Sequence, residues 1–263
     1  MRGIILKDDL RYDFVERYLR DAGHNFLADN TSSEGLDFAI FPFLGEVNTS
    51  VYDDGFFGGM RRGTPVFSGV RSDYLARLCE AHGLEYHAMI EDKAVAIKNA
   101  IPTSEGVLAY LLMNRKQTLE GSRALVIGYG ICGRDLADRL RGLGVRVSAL
   151  VRNREKAAMA AADGVKPIYL NQLPERPFDI IINTVPQKVL TNEMLDITAG
   201  ALLIDIASAP YGFDMEHAKR LNSKSTLLPG IPGKNAPQTA GEILGEYIDF
   251  VLQKGRGGDD AGR

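Results

Sequence analysis

The chain has 263 residues, 45% of them hydrophobic and 25% charged, an ordinary globular composition that suffices for one large domain or two smaller ones. Its 31 basic and 34 acidic residues leave a net charge of -3, so there is no excess positive field for nucleic acid or an anionic membrane. The start, Met1-Arg2-Gly3-Ile4-Ile5-Leu6-Lys7-Asp8, meets charge too early for a secretory signal. No apolar run approaches the ~20 residues of a membrane span, so a soluble, cytoplasmic protein is expected.

Cys79 and Cys132 stand far apart, and His24, His82, His87 and His217 share no ligand spacing with them or with one another. No structural metal and no disulfide framework is expected. The 28 glycines punctuate apolar runs, which indicates a turn-rich α/β chain.

In chain order, residues 3–6 suit a strand and residues 10–22 a helix with Phe14, Tyr18 and Leu19 on one face. Short extended runs follow at 25–28, 38–41 and 66–68, then a helix at 72–82 and a run at 85–89. About five strands of this kind make a small open parallel sheet, flavodoxin-like, over residues 1–95. Residues 53–64, with four glycines and Arg61-Arg62, have no clear period and are expected to be a long loop.

At Ala96 the pattern changes. Asn99-Ala100-Ile101-Pro102 suits an extended connector, because a proline disfavours the helical region for the residue before it. A helix is then expected to begin at Thr103-Ser104-Glu105-Gly106 and to run through the apolar stretch 107–112. An almost wholly apolar helix implies burial between layers.

Residues 123–127 are a buried strand, Gly128-Tyr129-Gly130-Ile131-Cys132-Gly133 follows at once, and residues 134–141 are a helix. Further strands suit residues 145–151, 167–170, 179–183, 201–205 and 226–228, which completes the six of a doubly wound Rossmann domain over residues 96–253. A helix at 240–252 suits a return across the first domain, and residues 254–263 suggest a flexible tail.

The G-x-G-x-x-G loop carries a mechanism. The first glycine allows the tight turn, the second lets backbone N–H groups approach a pyrophosphate, and the third lets helix and strand pack closely. An NAD site usually has a carboxylate at the end of the second strand, about 20 residues on. Here that end is Leu150-Val151-Arg152-Asn153-Arg154. Two arginines suit a 2′-phosphate, so NADP is expected over NAD, although they also suit a solvated loop. The other strand-end loops, Asn183-Thr184-Val185-Pro186, Asp205-Ile206-Ala207-Ser208-Ala209-Pro210 and Pro229-Gly230-Ile231-Pro232-Gly233-Lys234-Asn235, are expected to form the nicotinamide side. His217, His82 and His87 suit surface positions at least as well as catalytic ones.

These segments together are similar to a known family. Residues Asn99 to Gly106, the glycine loop, the basic second-strand end, Ile182 to Pro186, Asp205 to Ser208, and Leu228 to Gly233 followed by Ala236-Pro237-Gln238-Thr239-Ala240-Gly241 resemble the A subunits of dipicolinate synthase. The similarity is strong over about residues 93–252 and weak before them. The resemblance implies a two-domain protein like the D-2-hydroxyacid dehydrogenases, which in sporulation oxidises dihydrodipicolinate, from the lysine pathway, with a nicotinamide cofactor. It also implies a partner, a small flavoprotein-like B subunit, and a homo-oligomer is expected. Two positions depart from the family's pattern: Lys7-Asp8 precede Asp9-Leu10-Arg11 where a glycine pair is usual, and Ala209 stands where an arginine is often found.

A dicarboxylate substrate is expected between the domains, against the start of the Thr103 helix, with hydroxyl and N–H groups of Thr103 and Ser104 receiving one carboxylate. Arg11 is the candidate clamp for the other, and Glu105 the candidate proton acceptor. The same residues also suit ordinary helix-start chemistry and a solvated arginine. Two readings stay open beside this one: hydride transfer on a 2-hydroxy or 2-amino acid, and a non-catalytic nucleotide-binding subunit.

Overall fold

The computed structural model describes residues 1–28, 30–172, 178–196, 200–221 and 224–259. The chain divides into two compact units, one made of Met1–Asn99 together with the chain from Ala236 on, the other of Ala100–Asn235.

In the first unit, β1 (Arg2–Ile5), β2 (Asn25–Phe26), β3 (Phe38–Ile40), β4 (Pro65–Ser68) and β5 (Glu85–Ala88) form a parallel sheet in the order β2-β1-β3-β4-β5. Between them run α1 (Arg11–Asp21), α2 (Asp54–Gly58) and α3 (Asp73–His82). Both faces of the sheet are covered, which is why its strands are continuous apolar runs. Ile4, Ala39 and Val66 meet Phe57, Leu75 and Leu78 on one side. On the other, Ile5, Phe38, Ile40 and Phe67 meet Tyr12, Val15 and Leu19 of α1 and Ile243, Leu244 and Ile248 of the chain's last helix.

Three expectations change here. The buried stripe of α1 is Tyr12, Val15 and Leu19, while Phe14 and Tyr18 are only half-buried. The loop over 53–64 contains α2, because the Asp53 carboxylate accepts the Phe56 N–H at 3.0 Å and so caps a turn. That turn buries Phe56 and Phe57, the apolar pair that glycines on both sides had masked. The third is the proline-ended connector. Residues Lys93–Asn114 are one helix, α4, with Pro102 inside it. Its start is fixed by Asp92, whose Oδ1 accepts the N–H groups of Ala94 (2.8 Å) and Val95 (3.0 Å). A capped run of helix-forming residues outweighs the local preference of the residue before proline. The boundary between the two units falls within this helix.

In the second unit, β6 (Arg123–Ile127), β7 (Arg146–Leu150), β8 (Lys166–Ile168), β9 (Ile180–Asn183), β10 (Leu202–Asp205) and β11 (Lys224–Leu227) form a parallel sheet in the order β11-β10-β9-β6-β7-β8. This is the doubly wound dinucleotide-fold order. Helices α5 (Ile131–Gly142), α6 (Arg154–Ala162), α7 (Asn192–Asp196), α8 (Met215–Arg220) and α9 (Ile231–Asn235) complete it. Val126, Ala149 and Ile182 face Leu136, Leu140 and Ala160 of α5 and α6. Leu125, Leu150 and Leu203 face Leu195 and Ala218 of α7 and α8.

The last helix, α10 (Pro237–Asp259), belongs to the first unit rather than to a span of 96–253. Gly241 and Gly245 make this packing close: a Cβ on Gly241 would lie 2.4 Å from the Arg11 carbonyl oxygen, and one on Gly245 would lie 2.9 Å from the Tyr18 Cβ. Residues 254–259, expected in a tail, continue α10, and residues 260–263 lie outside the described residues. Among the described residues no helix is long and apolar enough to cross a membrane, and no cluster of His, Cys, Asp or Glu could hold a metal ion.

Candidate functional site

The C-terminal ends of β6, β7 and β9 open onto a cleft of about 610 Å³, within the size range of small-molecule sites. Its floor is the loop from Gly128 to Gly133, and each glycine there has a distinct reason. Gly128 has φ +91°, a conformation open mainly to glycine, and a Cβ on it would lie 2.5 Å from Val185 Cγ2. A Cβ on Gly133 would lie 2.3 Å from the Gly128 carbonyl oxygen, so that glycine lets α5 start against the strand-end turn. A Cβ on Gly130 would meet nothing within 4 Å. Gly130 therefore leaves room above the loop without being required by the packing of the chain.

Gly130 is also the N-cap of α5 and supplies no side-chain acceptor. The helix thus begins with uncapped N–H groups beside the cleft and its positive dipole end there, an arrangement that suits an anion. Thr184 closes the turn, its hydroxyl donating to the Ile127 carbonyl at 2.8 Å. The side chain of Tyr129 is directed to the helix layer: it donates to Asp163 Oδ2 at 2.9 Å, and Arg134 binds the same carboxylate through two nitrogens. Burial, with the Asp163 bond and charge behind it, raises the Tyr129 phenol well above its ordinary value. Cys132, in the first turn of α5, has its thiol pushed up by burial and then by Asp135, so it stays protonated near neutral pH.

Ten of the residues expected at a nucleotide line this cleft: Gly128, Tyr129, Gly130, Ile131, Cys132, Gly133, Arg152, Thr184, Val185 and Pro186. Five do not. Asn153 is the N-cap of α6, its Oδ1 accepting the Lys156 N–H at 2.9 Å, and Arg154 is the first residue of that helix. Ala207, Ser208 and Gly230 follow the ends of β10 and β11 without lining the cleft. In their place the cleft includes Lys156, Leu170, Gln187 and Val189. Lys156 was legible in principle, because an Asn cap at 153 places residue 156 in the first turn, next to the strand end that carries Arg152.

The substrate-side candidates fare differently. Thr103 is not at a helix start but in the middle of α4, where backbone N–H groups are already bonded within the helix. Glu105 is 58% exposed and lies 3.4 Å from Arg139 Nη1, so it is a surface ion pair of the second unit. Arg11 does begin α1, as expected, but its guanidinium is buried, donates to the Asp9 carboxylate through Nε and Nη2, and stacks 3.7 Å over the Phe43 ring. Burial pushes the Asp9 carboxyl up, and the Arg11 bonds and charge more than offset it, holding the group below its ordinary range. His217 and His82 pair with Asp196 and Asp54, and His87 stacks on Phe67.

Comparison with known proteins places this geometry. Residues 105–207 match the family of the D-isomer specific 2-hydroxyacid dehydrogenase NAD-binding domain. The dipicolinate synthase A subunit of Bacillus subtilis is 33% identical over 190 residues, 71% of this chain and 64% of that protein, so the match spans slightly under two thirds of that relative's length. The crystal structure of the dipicolinate synthase A subunit from Bacillus halodurans superposes with a TM-score of 0.87 at 26% identity, covering 95% of this chain and 97% of that one. This chain is similar to the dipicolinate synthase A subunits. The crystal structure of the Bacillus subtilis protein agrees, with a TM-score of 0.86 at 25% identity over 96% of this chain and 95% of that one. The similarity to these proteins thus covers both units in structure, and the cleft lies within the segment 105–207 that matches the NAD-binding domain.

Proposed function

We propose that this chain is a nicotinamide-dependent oxidoreductase that oxidises dihydrodipicolinate to dipicolinate. The observation that carries this reading is the cleft over the glycine loop, in a chain so similar to dipicolinate synthase A subunits. The first unit, with its parallel order β2-β1-β3-β4-β5, is in this reading a flavodoxin-like substrate-side domain. The residues present fit the cofactor: uncapped N–H groups at α5 suit the pyrophosphate, and the open position at Gly130 leaves it space. A bound nicotinamide supplies the hydride acceptor. The chain's part is to hold ring and substrate in register and exclude water, since forming an aromatic product already provides driving force. The reaction removes two hydrogens, one as hydride to the nicotinamide and one as a proton to a base or solvent.

The cofactor preference we propose is NADP over NAD. Arg152 lines the cleft, is exposed, and makes no hydrogen bond or ion pair among the described residues, and Lys156 stands beside it. A carboxylate for the ribose hydroxyls is not among the cleft residues. A charged hydrogen bond is worth roughly 1.5–3 kcal/mol, so Arg152→Ala should weaken NADP binding on the order of tenfold to a hundredfold and leave NAD nearly unchanged. Calorimetric titration of both cofactors tests it, and tighter binding of NAD to the unmutated protein would reverse the preference.

In the same reading the chain acts in the cytoplasm during sporulation, as a homo-oligomer, with a flavoprotein-like B subunit. These assignments rest on the likeness to the A subunits, whose name implies a further polypeptide. Assay of the purified chain for dihydrodipicolinate oxidation, with and without the second polypeptide, tests activity and partner together. No cofactor reduction in either case would reject the oxidoreductase reading, and equal turnover in both would reject the partner.

A further inference from the structure

Four cations converge at the end of the second sheet opposite the nucleotide cleft. Arg123 opens β6, Arg146 opens β7, Lys166 opens β8, and Arg141 comes from the last turn of α5. They line a groove of about 350 Å³, and no acidic side chain is among its described lining residues. The register explains why the three strand cations converge. Arg123 pairs with Arg146, and Ser148 with Lys166. Paired neighbours in a sheet point to the same face, and residues two apart along a strand do too. Arg123, Arg146 and Lys166 therefore share one face, which deeper in the sheet carries Leu125, Leu150 and Ile168, while Arg141 reaches the groove from α5. Helices α5 and α6 pack the other face, with Ala149 and Ala160.

Arg123 and Arg141 are engaged by the chain. The Arg123 guanidinium lies 5.3 Å from the Phe178 ring centroid, and its backbone N–H donates to Asp179. Arg141 donates to the Asp163 carbonyl and stands 3.9 Å from the exposed Asp138 carboxylate. The side chains of Arg146 and Lys166 are exposed and make no hydrogen bond or ion pair among the described residues. Like charges brought to one groove repel, and a chain of net charge -3 does not concentrate them by composition. Nothing in the strand pairing calls for cations at these positions.

We propose that this groove binds a small polyphosphate anion, such as tripolyphosphate or the phosphate chain of a nucleoside triphosphate. The Arg146 guanidinium offers a planar fork that matches phosphate oxygens, the Lys166 ammonium adds a point charge, and the charges of Arg123 and Arg141 add to the field of the groove. The groove has the volume for a small ligand. It is distinct from the nucleotide cleft, because the five residues of β6 separate the two by roughly 13 Å.

The test is calorimetric titration of the full chain with tripolyphosphate and, separately, with ATP, each with NAD and NADP in excess so that the nucleotide cleft is filled. Saturable binding of either anion is expected. It should weaken about tenfold or more in the double variant Arg146→Gln/Lys166→Gln and stay within about threefold in Arg146→Lys/Lys166→Arg. Each single Gln variant should show a partial loss, which keeps the test decisive if the double variant folds poorly. The assignment is overturned by absence of saturable binding, by equal binding to the Gln variants, or by tighter binding of hexaglutamate, which would make the groove a site for an acidic peptide.

Discussion

Asn183 and Asp205 join the C-terminal ends of two neighbouring strands through one buried hydrogen bond, Asn183 Nδ2 donating to Asp205 Oδ1 at 2.9 Å. Each then holds its own loop. Asn183 Oδ1 accepts the Val185 N–H at 3.1 Å, and Asp205 accepts the N–H groups of Ala207 (2.9 Å) and Gly212 (2.6 Å). The loop that bounds one side of the cleft is thus fixed by side chains beneath it rather than by contacts across it.

Removing the amide leaves a buried carboxylate short of a donor. Asn183→Ala should destabilise the second unit by about 1–3 kcal/mol, the usual cost of an unsatisfied buried polar group. Asn183→Asp should do more harm, because it sets two carboxylates side by side. Urea unfolding followed by far-UV circular dichroism measures both. Unchanged midpoints would show that the loops hold without the pair.

The glycine loop separates folding from binding. Gly133→Ala forces a Cβ to within 2.3 Å of the Gly128 carbonyl oxygen, a backbone atom that cannot step aside, so a stability loss of about 1–3 kcal/mol is expected together with loss of cofactor affinity. Gly130→Ala places its Cβ in open space. It should melt like the unmutated protein and still bind cofactor about tenfold more weakly, since the added methyl stands where the pyrophosphate would approach. Equal cofactor affinity in Gly130→Ala and the unmutated chain would mean that no ligand approaches the loop there.

Most of the second sheet was legible because each strand is a short apolar run bounded by turn residues, and the glycine loop falls between a strand and a helix in the order its mechanism requires. Residues 123–127 were placed without error, and the other strand ends moved by only a few residues. What failed was decided by single contacts. Asp92 and Asp53 cap helices that local pattern assigns to connector and loop. The return of α10 to the first domain was expected, but the two glycines through which it meets α1, more than two hundred residues away in sequence, leave no local periodicity. In the cleft, the backbone-defined positions were foreseeable. Lys156 was missed, because strand-end arithmetic stops at Arg152 and Arg154 and does not follow the helix turn that the Asn153 cap begins.

His87 gives the first unit a dependence on pH. Burial, with its ring stacked on Phe67 at 5.1 Å, lowers its pKa below the ordinary 6.5, and Glu85, 3.8 Å from Nε2, opposes this only in part. The Tyr247 hydroxyl lies 3.3 Å from Nδ1. The folded state therefore resists protonation more than the unfolded chain does. The stabilisation is fully present above 6.5 and is lost as pH falls through the lower folded value. Unfolding midpoints measured from about pH 7.5 to about pH 5 should fall for the unmutated chain more steeply than for His87→Phe. The other histidines are common to both proteins, so parallel curves would assign the pH dependence elsewhere.

The substrate side is decided by kinetics, and the structure changes what to expect there. Glu105→Gln removes a carboxylate that is largely solvated and already faces Arg139, so turnover should stay within about threefold, below the ~100-fold or more expected on loss of a general base. Thr103→Val removes a buried hydroxyl from mid-helix. If Thr103 received a substrate carboxylate, KM would rise with stability unchanged; a structural hydroxyl instead lowers stability and leaves KM in place. Arg11→Ala strips the half-buried Asp9 carboxylate of its partner and uncovers Phe43, so it should destabilise the first unit whatever its role in binding. Arg11→Lys separates the two effects, because it keeps the charge and loses the fork. A raised KM in Arg11→Lys, with the melting temperature and turnover kept, would make Arg11 the clamp. A lowered melting temperature with KM unchanged would make it a structural ion pair and move the carboxylate site to other residues.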